Sequence, residues 1–450
     1  MKKITDRKKL ALYGCSGMGV NMLTLIVGSY LCSALLVGGF DEHIESWTYL
    51  SKDLVVAGLW AIFVFLAKAL DGIIDLPLAT FADKLNSRFG RRKTALVLGF
   101  VPMVLAYVAF LFPLNSGATI LNTIWFGVML CVFYTFYTLT MLTYYATFSE
   151  VCQNEQDTVY LSNIKSVCDV VYYILGFALI PVFVSMGINI RIVALIFLPL
   201  SLTMIIPMLL LKEHNEDGDE KSVRALTLGK ALGTAMTNKP FIYWMFTSSV
   251  MTIGLQLFLG GINELFSSTG LNMTFVMASS FVPVPLTIIL YNYIVKKKGL
   301  GFAYRYVLSV FSIGMLIMFF CNINSDNMTE LQLTLVAICG GIFVSFAIGA
   351  FFSITYTVPS HLAVNEEKRS GKKIASMLFA VQGLFEGVAA GVATGLILVA
   401  LKANDVISLL PIIVAVCCMS AFGMSFAFKP EIAYMGKENS EESFGENDNK

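Results

Sequence analysis

The chain has 450 residues, of which 57% are hydrophobic and 14% charged, with a mean hydropathy of +0.75, whereas an average soluble domain is about 25% charged. Lipid must therefore be the main solvent, and the polar breaks between apolar stretches leave no room for a soluble domain of ordinary size. The formal net charge of +1 gives no basis for nucleic-acid binding, because in such a chain the placement of charges carries the information and their sum does not.

A helix that crosses the bilayer needs roughly 20 mostly apolar residues. Behind MKKITDRKK the first apolar run is too long for a signal peptide and lacks a convincing cleavage site, so it reads as a retained helix near Leu10 to Gly39. Further helices are expected near Leu54 to Ala82, Thr94 to Pro113, Thr119 to Thr147, Leu161 to Met186 and Ile190 to Leu211. Six more follow near Pro240 to Ser267, Met273 to Val295, Ala303 to Cys321, Leu331 to Val358, Ala375 to Leu401 and Val406 to Phe428. The fold class is thus an all-α membrane protein of about twelve spans, with 1–211 as an N-terminal six-helix bundle and 240–428 as a C-terminal one. The polar stretch 212–239 is the expected linker, and 429–450, acidic and poor in apolar residues, the expected disordered tail.

Cytoplasmic loops collect Lys and Arg. Lys2, Lys3, Arg7, Lys8 and Lys9 precede the first helix, Arg88, Arg91, Arg92 and Lys93 follow the second, Lys296 to Lys298 follow the eighth, and Lys368, Arg369, Lys372 and Lys373 follow the tenth. The alternate loops, Asp41 to Asp53, Leu114 to Ala118 and Asn322 to Glu330, carry few cations. Both termini and the linker are therefore expected in the cytoplasm of a multi-pass cell-membrane protein. The nine cysteines fall mostly inside apolar runs without C-x-x-C spacing and read as small hydrophobes. His43, His214 and His361 lie near loops without metal-ligand spacing, which gives an enzyme little to work with and implies no cofactor.

An ionised side chain near the bilayer centre costs about 2.5 to 3.5 kcal/mol on insertion scales, so each needs a partner or a purpose. In FLAKALDGIIDLPLATFAD, Lys68, Asp71 and Asp75 stand at offsets of three and four and share one helix face. One lysine neutralises one acid and leaves the other unexplained. Two carboxylates one turn apart repel when both are ionised, so either one keeps a proton or a cation joins them, which is the chemistry of a coupling site. The plainer reading is a buried salt bridge that ties this helix to a neighbour. Other embedded polar residues are Asn21, Lys165 with Asp169 at i,i+4, Gln256, Asn263 and Glu264, and Gln382 with Glu386. Glu386, between Gly383 and Gly387, stands among small residues that permit close approach of a helix or a ligand. Tyr134, Tyr137, Tyr144 and Tyr145 form an aromatic run in the fourth helix, either packing or a wall for a solute.

The segment KALDGIIDLPLATFADKLNSRFGRRK resembles the signature of the glycoside-pentoside-hexuronide cation symporters, the melibiose permease family within the major facilitator superfamily. YGCSGMGVNML, YTLTMLTYYATFSEV and VNEEKRSGKKIASMLFAVQG resemble other segments of that family, so the likeness covers most of the chain. It implies that Asp71 and Asp75, beside Lys68 and with the hydroxyl of Thr138, bind the coupling cation. Physically, Asp83 with Arg91, Arg92 and Lys93 can form a charge network between helix ends that closes the cytoplasmic side, the plainer reading being positive-inside topology alone. Ile74 stands where the family often has an amide, a loss that favours H⁺ over Na⁺, since Na⁺ needs several oxygen ligands. The family's sugar-gripping acids align with Asn21 and Met141 and a helix-eleven lysine with Gly383, while Lys165 stands for the helix-five arginine. Together with Tyr137, Tyr145, Gln382 and Glu386, Asn21, Met141 and Lys165 are the expected solute-binding residues. Without those acids charge-assisted bonds to sugar hydroxyls are lost, which disfavours a common disaccharide.

The expected function is alternating-access symport of a small-molecule solute with a monovalent cation by a monomer in the lipid bilayer. A sugar or glycoside-like solute leads, with a lysophospholipid-type or other non-sugar solute as the alternative. A transporter-like sensor signalling through the acidic tail is the rival from another class.

Overall fold

The computed structural model describes residues 3–40, 43–85, 87, 89–153, 155–211, 237–267, 273–323, 327–370 and 375–437. The linker up to residue 236 and the tail from 438 lie outside the described residues, as do Lys2, Arg88, Lys372 and Lys373. The described residues form helices and no strands. Twelve of the helices are long and apolar enough to cross a membrane.

In chain order these are α1 (Arg7–Leu35), α2 (Ala57–Lys84), α3 (Arg91–Phe110) and α4 (Ile120–Ala146). Next come α5, which begins as Glu155–Ile174 and ends as Ile180–Ser185, and α6 (Ile190–Leu210). α7 (Lys239–Ser267), α8 (Met273–Phe281 and Val284–Lys298) and α9 (Leu300–Ile323) follow. α10 (Glu330–Ser370), α11 (Ala375–Gly391 to Leu398–Ala403) and α12 (Ile407–Ala427) complete the set. Side-chain caps open several of them: Asp6 accepts from the Lys8 amide at 2.9 Å, Thr119 from Asn122 at 3.2 Å and Asn189 from Arg191 at 3.0 Å. α8 gives way to α9 at Gly299, whose φ of +85° disfavours a side chain and whose missing Cβ would sit 2.7 Å from the Ala433 carbonyl oxygen.

Large apolar side chains remain exposed along the spans, among them Leu105 (64%), Leu209 (69%) and Leu286 (72%). Such a surface is stable against acyl chains and would aggregate in water. The sequence reading differs most at α10, expected to stop at Val358 and in fact helical to Ser370 through Pro359. Apolarity ends there but helix propensity does not, since HLAVNEEKRS is rich in Leu, Ala, Glu, Lys and Arg, which a helix outside lipid tolerates well.

The chain divides into two compact units, 1–227 with 394–405, and 228–393 with 406–450. In the first, α4 packs against both α2 and α3, and α1 against α5 and α6. Close approach is built in: a Cβ on Gly19 of α1 would overlap the Leu200 carbonyl of α6, and one on Gly127 of α4 the Phe63 ring of α2. In the same unit Lys402 is buried, its Nζ donating to the Ser33 carbonyl at 2.7 Å and the Ser33 hydroxyl at 2.9 Å and lying 4.6 Å from the Phe40 ring centre. In the second unit α10 packs on α8 and α9, and α12 on α7 and α9.

Three spans are interrupted by a π turn, Val27–Leu31 in α1, Leu175–Leu179 in α5 and Val392–Ile397 in α11. Such turns are rare and concentrate at functional positions. Two of them are tied together, because the Tyr30 hydroxyl donates to the Gly176 carbonyl at 2.9 Å.

Candidate functional site

Along α4, Tyr134, Tyr137, Thr138, Met141 and Tyr145 fall at helical offsets that place them on one face. Two groups of polar residues from α1, α2 and α5 meet that face. The first is built on the embedded charges of α2. Thr138 donates a short hydrogen bond to Asp71 Oδ1. Lys68, three residues earlier, sets its ammonium 4.2 Å from the Tyr134 ring centre and attracts the Asp71 carboxylate. Asp75, one turn beyond, is half-buried and feels the Asp71 charge. Gly28, in the π turn of α1, leaves this corner open: a Cβ there would lie 3.2 Å from the Tyr134 hydroxyl and 3.8 Å from Lys68 Nζ. Pro77 lies inside α2 and has no amide hydrogen, so the Ile73 carbonyl, between the two acids in sequence, lacks its i+4 helical donor.

The arrangement sets oxygens of Asp71 and Thr138 side by side, with Asp75 one turn away and one fixed cation to compensate. Thr138→Val keeps the shape and removes the donor. A hydrogen bond to a charged group is worth about 1.5–3 kcal/mol, so the affinity of Asp71 for any cation it takes up, a proton included, is expected to change roughly tenfold to a hundredfold, read from the cation dependence of uptake.

The second group lies where α1, α4 and α5 meet. Asn21 Nδ2 donates to Asp169 Oδ1 at 3.3 Å, and the Tyr137 hydroxyl donates to Asn21 Oδ1 at 3.1 Å. Lys165 pairs with Asp169 at 2.5 Å and lies 5.1 Å from the Tyr145 ring centre. This group is polar, aromatic on one side and balanced in charge. Met141 is buried, with its Cε 3.2 Å from where a Cβ on Gly17 of α1 would be. Tyr144 is wholly buried and donates to the Tyr13 and Gly14 carbonyls of α1 at 2.6 and 3.0 Å, which makes it a packing residue.

Gln382 and Glu386 belong to the second unit. Trp244 Nε1 donates to Gln382 Oε1 at 3.0 Å, and Gln382 Nε2 donates to the Thr355 carbonyl at 2.8 Å and to Glu386 Oε1 at 2.9 Å. Ser248 donates to the same Glu386 oxygen at 2.9 Å.

Of the expected cytoplasmic network, Arg91, Arg92 and Lys93 form the half-buried first turn of α3. Asp83 is in the last turn of α2, and its side chain lies outside the described residues. Among the described residues no cluster of three or more His, Cys, Asp or Glu is arranged to hold a metal ion.

The sequence reading left out Tyr134 as the partner of Lys68, and Trp244 and Ser248 as partners of the α11 pair. It treated Asp169 only as the i,i+4 mate of Lys165. Tyr134 carried a signal, since it falls one turn before Thr138 on the same face. The other three contacts span more than a hundred residues of sequence, and no local pattern reports them.

The family model described as MFS/sugar transport protein matches residues 12–416. No curated protein matches the chain. Among solved structures, that of the nucleoside transporter NupG is similar over 96% of this chain and 100% of its own, at 14% identity and a TM-score of 0.64. A bacterial homologue of the human lysosomal transporter Spinster, captured inward-facing and unoccupied, is similar over 95% and 98%, at 11% identity and a TM-score of 0.62. At those identities the likeness is one of fold, the major facilitator superfamily arrangement of two six-helix bundles.

Proposed function

Since the chain belongs to the MFS/sugar transport protein family, and is a membrane transporter and not an enzyme, we propose that it is a cation-coupled symporter of a small neutral, hydroxyl-bearing solute. The resemblance to the melibiose permease family accords with that membership. The observation that carries the coupling is the α2 pair: Asp71 bonded by Thr138 and faced by Lys68, with Asp75 one turn away and no second lysine in the helix's apolar run. Occupation by a cation removes the repulsion between the acids and lets the site close. H⁺ is the proposed coupling ion, because Ile74 offers no oxygen where an amide would complete a Na⁺ shell.

Asn21, Tyr137, Tyr145, Lys165 and Met141 are the proposed solute residues of the first unit, and Gln382 and Glu386 those of the second. The Asn21 amide and Tyr137 hydroxyl suit hydroxyl groups, the Tyr145 ring suits the apolar face of a sugar or base, and the Lys165–Asp169 pair adds no net charge. A sugar or a nucleoside, the latter being what NupG carries by its description, meets those terms better than a lipid with a charged headgroup. Solute and cation are proposed to be bound together and released inside the cell by alternating access, with both termini cytoplasmic in the cell membrane and the monomer as the working unit.

The decisive experiment adds a panel of sugars, nucleosides and lysophospholipids to proteoliposomes holding a pH-sensitive dye inside. The expected result is inward H⁺ movement driven by one class of neutral solute. Solute flux that follows a Na⁺ gradient and ignores the pH gradient overturns the choice of ion, and absence of flux for every solute in the panel overturns the proposed solute class.

A further inference from the structure

The cluster around Glu386 holds an acid that no cation among the described residues matches. Trp Nε1–H is a donor only, so the Gln382 oxygen must face Trp244, and the amide nitrogen is thereby turned toward Thr355 and Glu386. Both of its hydrogens are then committed, to the Thr355 carbonyl at 2.8 Å and to Glu386 Oε1 at 2.9 Å. Ser248 adds a second donor to the same oxygen at 2.9 Å. The groups that act on Glu386 are Ser248 of α7, Gln382 of its own helix and the Tyr304 phenol of α9, while Trp244 of α7 and the Thr355 carbonyl of α10 hold Gln382 in place. Among the described residues no Lys, Arg or His bonds to it or acts on it. Two neutral donors hold one carboxyl oxygen and no described residue neutralises the charge, a costly state for an acid in the apolar layer. Glu386 is nonetheless half-buried and keeps accessible surface.

A monovalent charge that comes and goes resolves this. A metal ion has few ligands here, because Oε1 already accepts two hydrogens and the Gln382 oxygen faces Trp244. A proton needs only the second carboxyl oxygen. We propose that Glu386 is a second proton-binding site of the transporter, located in the second unit and oriented by Gln382, Trp244 and Ser248. The proposal rests on the symporter reading and deepens it: one titrating site in each unit, so that two protons accompany each solute.

Glu386→Gln preserves size and both incoming hydrogen bonds while removing the exchangeable proton. The infrared C=O stretch of protonated carboxyl groups, followed against pH in the reconstituted full-length protein, is measured in a D71N/D75N background with and without E386Q. The expected result is a carboxylic-acid band that persists in the double variant, titrates with pH and disappears in the triple variant. Glu386→Asp, which keeps the acid and shifts the band, serves where the triple variant does not fold. An identical band with and without Glu386 overturns the proposal, as does its absence at every pH. In transport, H⁺ moved per solute is expected to fall from two to one in E386Q alone, and an unchanged ratio also overturns it. If the wild type moves no solute at all, the symport reading fails, whereas the infrared result still reports on Glu386.

Discussion

Replacing Asp71 or Asp75 by Asn is expected to remove the share of concentrative uptake driven by the α2 cation, about 50-fold at 100 mV, while solute exchange between the two sides continues. A membrane potential is worth about 2.3 kcal/mol per elementary charge per 100 mV, and 1.4 kcal/mol is a factor of ten. One coupled cation therefore sustains roughly 50-fold solute accumulation at 100 mV. With either acid neutralised the site carries one carboxylate beside Lys68 and no longer needs a mobile cation, so the accumulation ratio falls by about that factor. Counterflow of labelled solute against an internal unlabelled pool requires no net charge movement and is the readout of a folded, cycling protein. Full gradient-driven accumulation by both variants would end the assignment of α2 as the coupling helix.

The second large effect concerns Lys68. Its ammonium faces the Tyr134 ring and attracts Asp71, and the only other embedded charge on that helix face is a second acid. Lys68→Met leaves the two carboxylates without fixed compensation. Removing one partner of a buried charge pair costs about 3–5 kcal/mol, so the variant is expected to unfold at much lower temperature in detergent and to lose transport. Combining K68M with D71N removes the stranded charge with its partner, and most of the stability should return. Equal melting temperatures for K68M and K68M/D71N would mean that the lysine holds the fold by some other contact, such as its position over Tyr134.

The twelve spans were legible because each is decided locally: some twenty apolar residues in a row have no competing use, and lipid rewards them whatever the rest of the chain does. The reading of Lys68, Asp71 and Asp75 as one face was available for the same reason, since helical spacing of residues three and four apart is fixed by backbone geometry. The π turns in α1, α5 and α11 were not legible. VGSYL or LGFAL reads as ordinary apolar helix, and the Tyr30 bond to the Gly176 carbonyl that ties two of the turns joins residues 146 apart in sequence. Nor did the sequence distinguish Tyr144, spent on the α1 backbone, from Tyr137, which turns to Asn21, although both belong to the same aromatic run.

Composition and periodicity alone determined that this chain lives in a bilayer, how many times it crosses, and that a few charges sit where lipid penalises them. Only tertiary structure decided what from other helices answers those charges: Thr138 for Asp71, Asn21 for Asp169, and, among the described residues, the neutral donor Ser248 for Glu386. The reason is one of range. Burial in lipid and an i,i+4 partner depend on a residue's own segment, whereas the remaining partners of a buried charge come from other helices, brought within a few ångströms by packing that no local pattern encodes.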